Sequence, residues 1–294
     1  MKTINKISIL LTASIVFFSC KKPLDINIPK AKSQLAIFSQ IIPNQLVAIT
    51  VTRTFTALTD LTSSTSSDSS INGVLVSRAL VTLTHSNQID TLQKITDGLY
   101  GSVNTNFITG EYYELNVYDS TSGDHVKSYA QVLPIVEDSL KITVDRSTTD
   151  TTFLINCKVK DHPGVQEYYY INITNTGKIG MLNQVANFFS TINSDQNFIL
   201  MSDKDALNGS VKIAYTSDVI RDSLASALNK DSITIVIASI SKSYYDFLDA
   251  YKKGNSFFSQ ILGEPINYPS NIENGVGVFT AHIPKFYYLD LENH

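Results

Sequence analysis

The stretch VAITVTRTF at residues 47–55 decides the fold class, because large apolar side chains alternate in it with small or polar ones. A repeat of two residues is the pattern of a β-strand with one buried face. The same period recurs from residue 35 onward, between spacers rich in turn-forming residues. The sequence therefore predicts a mainly β protein. The apolar residues that share one face of the opening stretch are Val47, Ile49, Val51 and Phe55.

Further strands are predicted along the rest of the chain. Ser232–Ser239 is apolar on both faces, which is typical of a central, buried strand. Asp161–Gly164 is a turn sequence, and we expect it to join the strand before it to a return strand that carries Tyr168–Tyr170. The other predicted strands are Ala79–Leu83, Glu111–Tyr118, Ala130–Pro134, Leu140–Val144, Phe153–Val159, Val211–Tyr215 and Lys285–Leu291.

One short helix is predicted at residues 242–253. Apolar residues recur there at the spacing of one helical face, lysines occupy the last turn, and Gly254 follows as a residue that can end a helix. The apolar stripe consists of Tyr244, Phe247, Leu248 and Tyr251.

The length of 294 residues favours two domains. Pro134 marks the end of a strand, so we place the boundary near residue 136. The predicted fold is two β-sandwich-like units of immunoglobulin or transthyretin type, at residues 34–136 and 137–294. The second unit holds the helix and a loop rich in Pro, Asn and Gly at residues 261–276.

The N-terminus has the pattern of a bacterial lipoprotein signal peptide at residues 1–19. Two lysines precede an apolar run at residues 7–18 that is too short to span a bilayer permanently. Phe17–Cys20 resembles a lipobox, in which Cys20 becomes the first mature residue and carries acyl chains such as palmitate. Residues 20–33 form a polar tether. We expect a lipid-anchored protein of the cell envelope, at the outer membrane. The sequence does not decide between the periplasmic face and the outer face of that membrane. The alternative is an ordinary cleaved signal with an incidental cysteine.

The remaining residues contain no recognisable catalytic or metal-binding motif. The net charge of −4, without a basic patch, argues against a nucleic-acid partner. Cys157 is predicted to be a buried thiol. Asp203–Gly209 is rich in oxygen ligands but lacks calcium-loop spacing, and neither a Gly-x-Ser-x-Gly nor a His-Glu-x-x-His motif occurs. We assign no catalytic residue, metal site or cofactor, and we expect a protein that is not an enzyme.

Several motifs resemble those of a known family. Asn271–Phe279 reads NIENGVGVF, and earlier motifs are Ala79–Leu83, Gly98–Tyr100 and Gly110 followed by Tyr113–Leu115. These motifs resemble an uncharacterised lipoprotein family of Bacteroidetes, the domain of unknown function 4249. The resemblance implies a two-part, β-rich envelope lipoprotein, frequently encoded with TonB-dependent outer-membrane receptors.

The functional hypothesis is an accessory or binding lipoprotein that works beside an outer-membrane receptor, with an unidentified small-molecule or glycan ligand. Tyr168–Tyr170 and the loop before Phe279 are candidates for a binding surface; for the tyrosines, packing in the core is the alternative. Other hypotheses are an envelope hydrolase whose triad is assembled only in space, and an adhesin or structural spacer, which requires an exposed aromatic or edge-strand surface. The candidate surface loop comprises Asn271, Ile272, Asn274, Gly275, Gly277 and Phe279.

Replacing Cys20 with Ser should move the protein from the membrane fraction to the soluble fraction, because the thiol that carries lipid is lost. Cell fractionation and incorporation of labelled fatty acid measure this change. Cys157→Ser, at the other cysteine, should keep both the membrane association and the label. Unchanged partitioning and labelling of the Cys20 variant would remove the anchor hypothesis.

Overall fold

The computed structural model describes residues 33–41, 47–54, 74–102, 105–134, 141–146, 152–158, 166–175, 198–202, 210–216, 232–254 and 268–290. They form the helix α1 (Lys242–Gly254) and sixteen strands. The strands are β1 (Leu35–Ile41), β2 (Val47–Arg53), β3 (Ala79–His85), β4 (Gln88–Thr91), β5 (Gln93–Thr96), β6 (Leu99–Ser102), β7 (Tyr112–Asp119), β8 (His125–Leu133), β9 (Lys141–Arg146), β10 (Thr152–Lys158), β11 (Tyr168–Asn175), β12 (Phe198–Ser202), β13 (Ser210–Thr216), β14 (Ser232–Ser239), β15 (Val276–His282) and β16 (Lys285–Asp290).

Some predicted features lie outside the described residues. These are the signal peptide, Cys20, nearly all of the tether, the turn at Asp161–Gly164, the segment Asp203–Gly209 and residues 261–267 of the predicted loop. The side chain of Cys157 also lies outside the description, although its strand is described.

The predicted fold class is confirmed, because the described chain is mainly β with a short helix near the C-terminus. The helix begins and ends within one residue of its predicted bounds. Its first turn is capped by Ser241, whose Oγ accepts a hydrogen bond from the Tyr244 N–H at 3.3 Å. Tyr244 and Leu248 of its apolar stripe are buried.

Nine strands form one sheet in the order β4-β3-β7-β8-β15-β1-β2-β6-β5. Its two end strands, β4 and β5, are separated in sequence by Leu92 alone. Leu92 is buried, and its N–H donates to the Val81 carbonyl oxygen at 2.9 Å. The sheet therefore folds over on itself, and its ends meet where one continuous segment crosses from one half to the other.

The first core lies between the two halves of this folded sheet. Apolar side chains from alternate positions of the strands fill it, as the period of two predicts. Its members include Ile37, Ile49, Val51 and Tyr100 from the β1–β2–β6 half, and Val81, Leu83, Leu115 and Val126 from the β3–β7–β8 half.

Strand β15 completes the nine-stranded sheet from the far end of the chain. It runs parallel to β1, with Ala36 opposite Val276, and parallel to β8, with Ala281 opposite Val132. Residues 276–282, which belong to the predicted C-terminal unit, thus lie between two strands of the predicted N-terminal unit. Side chains from both faces of β15 are buried, since Phe279 enters the first core and Val278 enters a second one.

The second core lies around α1. The helix packs against the four-stranded sheet β12-β11-β14-β16 on one side and against the outward side of β1 and β15 on the other. The residues that meet there include Tyr168, Tyr170, Phe198, Val236, Tyr244, Leu248 and Val278, with Phe38 partly buried against them.

The predicted pairing of the strand at 153–159 with the strand carrying Tyr168–Tyr170 is wrong. β10 is flanked by β9 and β13, and β11 is flanked by β12 and β14, in a different sheet. Residues 168–173 are all buried, so β11 needs neighbours on both edges and cover on both faces.

No helix in the described part of the chain is long and apolar enough to cross a membrane.

Gly277 permits the close approach of β15 to β1. Its φ is 114°, and a Cβ at this position would lie 1.9 Å from the Ile37 carbonyl oxygen. A side chain there would meet both a disfavoured backbone conformation and a rigid strand backbone.

Gly277→Ala should lower the free energy of unfolding by roughly 3 kcal/mol or more, since the β1–β15 ladder must shift. Gly110→Ala is the matched control, because its φ is 86° but nothing lies within 4 Å of a Cβ there. It should cost only about 1–2 kcal/mol. Urea unfolding followed by circular dichroism measures both, and equal losses would contradict the proposed crowding at Gly277.

Candidate functional site

An exposed row of tyrosines lies on the solvent side of the folded sheet. Strands β7 and β8 alternate strictly between buried and outward positions, so their outward residues share one face with Leu80 of β3. Tyr112, Tyr118 and Tyr129 are 65%, 44% and 47% exposed. We call this surface the tyrosine face, and it comprises Leu80, Thr82 and Thr84 of β3, Tyr112, Glu114, Asn116 and Tyr118 of β7, and His125, Lys127, Tyr129, Gln131 and Leu133 of β8.

The register of β7 and β8 sets the spacing of the rings. Tyr129 lies opposite Glu114, so it is the diagonal neighbour of Tyr112 at roughly 7–8 Å. Tyr118 lies six residues along β7 from Tyr112, which corresponds to about 20 Å of strand. The rings therefore form a pair near one end of the face and a single ring at the other end.

A polar network occupies the space between the rings. Lys127 Nζ lies 2.9 Å from Glu114 Oε1, to which Asn116 Nδ2 also donates at 2.7 Å. The Lys127 ammonium also lies 5.0 Å from the centroid of the Tyr129 ring. Hydrogen bonds from Asn116 and Lys127 lower the pKa of the Glu114 carboxyl. Tyr129 and Glu114 raise the pKa of Lys127. Both charges are therefore present and paired at neutral pH.

Glu273 extends the tyrosine face beyond the edge of β8. Its N–H donates to the Lys127 carbonyl oxygen at 2.7 Å, and the Lys127 N–H donates to the Glu273 carbonyl oxygen at 3.3 Å. Directly paired residues project from the same side of a sheet, so the exposed Glu273 borders Lys127 on this face.

The predicted surface loop next to Glu273 is held by Asn271. Its side chain accepts from the Phe279 N–H at 2.9 Å and donates to the Phe279 carbonyl oxygen at 2.7 Å. Ser128 Oγ donates to the Asn271 carbonyl oxygen at 2.7 Å. Ile272 is buried in the first core. The loop is thus fastened to both β15 and β8.

We call the motif Asn271–Phe279 the signature loop, and its other residues also set the shape of this loop. Asn274 adopts a φ of 61°, and a Cβ on Gly275 would lie 2.7 Å from the Leu35 carbonyl oxygen. Phe279 is fully buried, and Gly277 lies against β1. Of the six predicted surface residues, all of which are described, only Asn274 is exposed. The structure therefore gives the signature a mainly architectural role.

Tyr168–Tyr170 are buried, so the packing alternative holds for them and the surface alternative is wrong. Tyr168 contacts Tyr245 of α1 with ring centroids 4.9 Å apart. Sequence reasoning missed the tyrosine face because it followed the apolar side of the strand at 111–118. The available signal was Tyr112 and Tyr118, two large rings at positions that the alternation assigns to solvent.

The hydrolase hypothesis requires a nucleophile beside a histidine. His85 Nε2 lies 3.3 Å from Asp90 Oδ2, and its Nδ1 lies 3.9 Å from Glu111 Oε2. Ser86 Oγ donates to Glu111 at 2.9 Å rather than to the imidazole. His85 therefore has an acid on each side, and this cluster is not arranged as a Ser–His–acid relay.

His282 is fully buried against Tyr244, with ring centroids 5.8 Å apart. Burial lowers the pKa of His282 to about 4, so the ring is neutral at physiological pH. Among the residues that the structure describes, no three His, Cys, Asp or Glu side chains are grouped to hold a metal ion.

Arg53 fixes the turn that follows β7. Its Nη2 donates to Asp119 Oδ2 at 2.6 Å, to Asp124 Oδ2 at 2.9 Å and to Ser122 Oγ. Burial alone would raise the pKa of Asp119, but hydrogen bonds from Arg53, the Thr121 N–H and Ser122 outweigh it and lower the pKa. This ion pair ties β2 to the end of the tyrosine face near Tyr118.

The fold and the surface define a mainly β protein with an exposed aromatic face on a folded nine-stranded sheet. The chain belongs to the family described as Domain of unknown function (DUF4249), whose model matches residues 21–284. The family resemblance of the sequence motifs is thereby confirmed.

Comparison with curated proteins gives no significant match. Similar solved structures include a candidate carbohydrate-binding protein from Bacteroides uniformis, with 9% identity, a TM-score of 0.24 and coverage of 74% of this chain and 90% of the other. A DUF3823 family protein from Bacteroides ovatus has 10% identity, a TM-score of 0.21 and coverage of 56% and 83%. Domains A168–A170 of titin have 8% identity, a TM-score of 0.22 and coverage of 72% and 62%. Scores this low place no constraint on the function of this chain.

Arg53→Gln should lower the free energy of unfolding by about 2–4 kcal/mol at pH 7, because Asp119 stays buried without its main cation. The lowered pKa of Asp119 stabilises the parent above about pH 4, and this contribution disappears as the pH falls through the folded-state value. The difference between variant and parent should therefore narrow in acid.

Unfolding titrations from pH 7 to pH 3 measure this difference. Lys94→Gln is the control, since Lys94 and Asp97 form an exposed pair with their atoms 2.6 Å apart. It should stay within about 0.5 kcal/mol of the parent at every pH. A deficit of Arg53→Gln that is independent of pH would contradict the assignment to Asp119.

Proposed function

We propose that this protein is a lipid-anchored binding protein of the cell envelope that recognises its ligand on the tyrosine face. The observation that carries the proposal is the group of three exposed tyrosine rings around a fixed polar network. Single exposed apolar residues are normal, but a set of large rings on one face of neighbouring strands is typical of a recognition surface.

The chemistry of tyrosine supports binding over a purely structural role. A tyrosine ring offers a large apolar area, its hydroxyl tolerates water, and few rotatable bonds must be fixed when a ligand arrives. The strands that carry Tyr112, Tyr118 and Tyr129 rest on the first core through their buried neighbours. The face is therefore organised before the ligand binds, which lowers the entropic cost of association.

The anchor and the tether complement this surface. A lipid on Cys20 holds the protein at the membrane, and a tether of residues 20–33 reaches at most about 50 Å when fully extended. The tyrosine face can then meet its ligand near the membrane surface. We include an outer-membrane receptor of the TonB-dependent kind as the partner in this proposal, on the strength of the family resemblance. The protein acts by binding and carries out no reaction.

An adhesin is the second candidate function, because that hypothesis requires an exposed aromatic surface. The two functions differ in where the ligand lies: an accessory protein meets it within its own envelope, and an adhesin meets it on another surface. The same test separates them.

The test uses the full lipidated chain in intact cells. A photoreactive amino acid in place of Tyr129 should form ultraviolet-dependent covalent adducts with the molecule that the tyrosine face binds. The matched control replaces Ile95, which is 51% exposed on β5 and lies outside the tyrosine face. Adducts at position 129 without adducts at position 95 support the proposal. Adducts that form only after a second cell type is added favour the adhesin. The proposal fails if both positions react equally or neither reacts.

A further inference from the structure

We infer that the ligand of the tyrosine face is a neutral polysaccharide chain. This inference rests on the proposed function and names the chemical class that the face recognises. A sugar ring has an apolar side of C–H groups and a rim of hydroxyls. It therefore needs flat aromatic surfaces for one part and fixed hydrogen-bonding groups for the other.

The rings of the tyrosine face lie along a line. Tyr112 and Tyr129 are diagonal neighbours, and Tyr118 lies further along the same strand as Tyr112. A row about 20 Å long exceeds one sugar ring. The arrangement therefore fits an extended chain of several sugars, which contacts the Tyr112–Tyr129 pair and Tyr118 at once. A monosaccharide would reach only one end of the row.

The polar groups between the rings have capacity left for hydroxyls. Asn116 and Lys127 both contact the same oxygen, Glu114 Oε1. A carboxylate offers about four acceptor sites, an ammonium three donors, and an amide both donors and an acceptor. A ligand rich in hydroxyls can therefore add hydrogen bonds to this network without breaking the contacts that hold it in place.

The charges of the face disfavour an acidic ligand. Lys127 is paired with Glu114, and the exposed Glu273 borders it on the other side. Lys127 is therefore already compensated, and His125, opposite Tyr118, is the other basic side chain among the outward residues of β7 and β8, so a nucleic acid or an acidic lipid surface would find no cluster of cations. The distribution of the rings also disfavours a protein partner. The polar side chains separate Tyr118 from the other two rings, whereas the centre of a protein interface is depleted of charged residues.

Affinity electrophoresis of the full lipidated chain tests the inference. The detergent must be a polyoxyethylene type, since alkyl glycosides carry the proposed ligand chemistry. The gels contain xylan, mannan, laminarin or dextran as neutral chains, and alginate or heparin as acidic ones. We expect at least one neutral chain to retard the parent protein, and glucose, mannose or xylose to compete weakly.

Side-chain variants locate the site. Tyr112→Ala and Tyr129→Ala should each weaken retardation by about tenfold. Tyr129→Phe should keep most of it, because the ring supplies the stacking area. Ile95→Ala should match the parent. All three positions have exposed side chains, so the thermal unfolding midpoints of the four variants should stay unchanged and show that lost binding is not lost folding.

Three results would overturn the inference. Retardation that persists in both alanine variants would assign the sugar to another surface. Tyrosine-dependent retardation by alginate or heparin alone would assign an acidic ligand. No retardation by any neutral chain, together with protein adducts at position 129 in cells, would reject the sugar while keeping the recognition face. Absence of those adducts as well would reject the proposed function itself.

Discussion

The parallel ladder between β1 and β15 is the interaction on which the rest of the structure depends. It joins residues 36–41 to residues 276–281, and β15 then reaches β8 on its other edge. One side of β15 places Phe279 in the first core, and the other places Val278 in the second. Loss of this strand would leave a gap in the sheet and open both cores. Gly277 allows β15 to lie close enough to β1 for the ladder to form.

The tyrosine face depends on the same contact through the signature loop. Asn271 fastens the loop to Phe279, and the adjacent Glu273 pairs with the backbone of Lys127. Lys127 is the cation at the centre of the polar network on the tyrosine face. A sequence signature that is mainly architectural thus supports the surface that we propose as functional. The glycines and Asn271 shape the loop, and the tyrosines on neighbouring strands provide the contact area.

Local features were predictable because they depend on neighbours in sequence. A run that is apolar on both faces gave the bounds of β14. Alternation gave those of β3, β7 and β13 within a residue or two, since burial of every second side chain defines a strand with one buried face. The apolar stripe gave the helix for the same reason. Strand partners were less predictable, because pairing joins distant segments. The sequence suggested a β10–β11 hairpin, whereas each strand is central in its own sheet.

The candidate site was missed for a related reason. In β7, alternate residues Tyr113, Leu115 and Val117 face the core, and the residues between them face solvent. Tyrosine is common on both, so only the register with β8 shows that Tyr112 and Tyr129 are neighbours. Tyr168–Tyr170 were candidates because three rings follow one another, yet side chains on both faces of β11 are buried.

The position of β15 also sets the order in which the protein matures. The β1–β15 ladder joins residues about 240 positions apart, so β1 and β8 emerge during synthesis long before the strand that separates them. Until it arrives, two strand edges and a half-covered core face other chains, which favours aggregation or mispairing. A chain truncated before residue 276 would remain in that state permanently. The cell therefore has a physical reason to keep the growing chain in contact with a chaperone until its C-terminus is released.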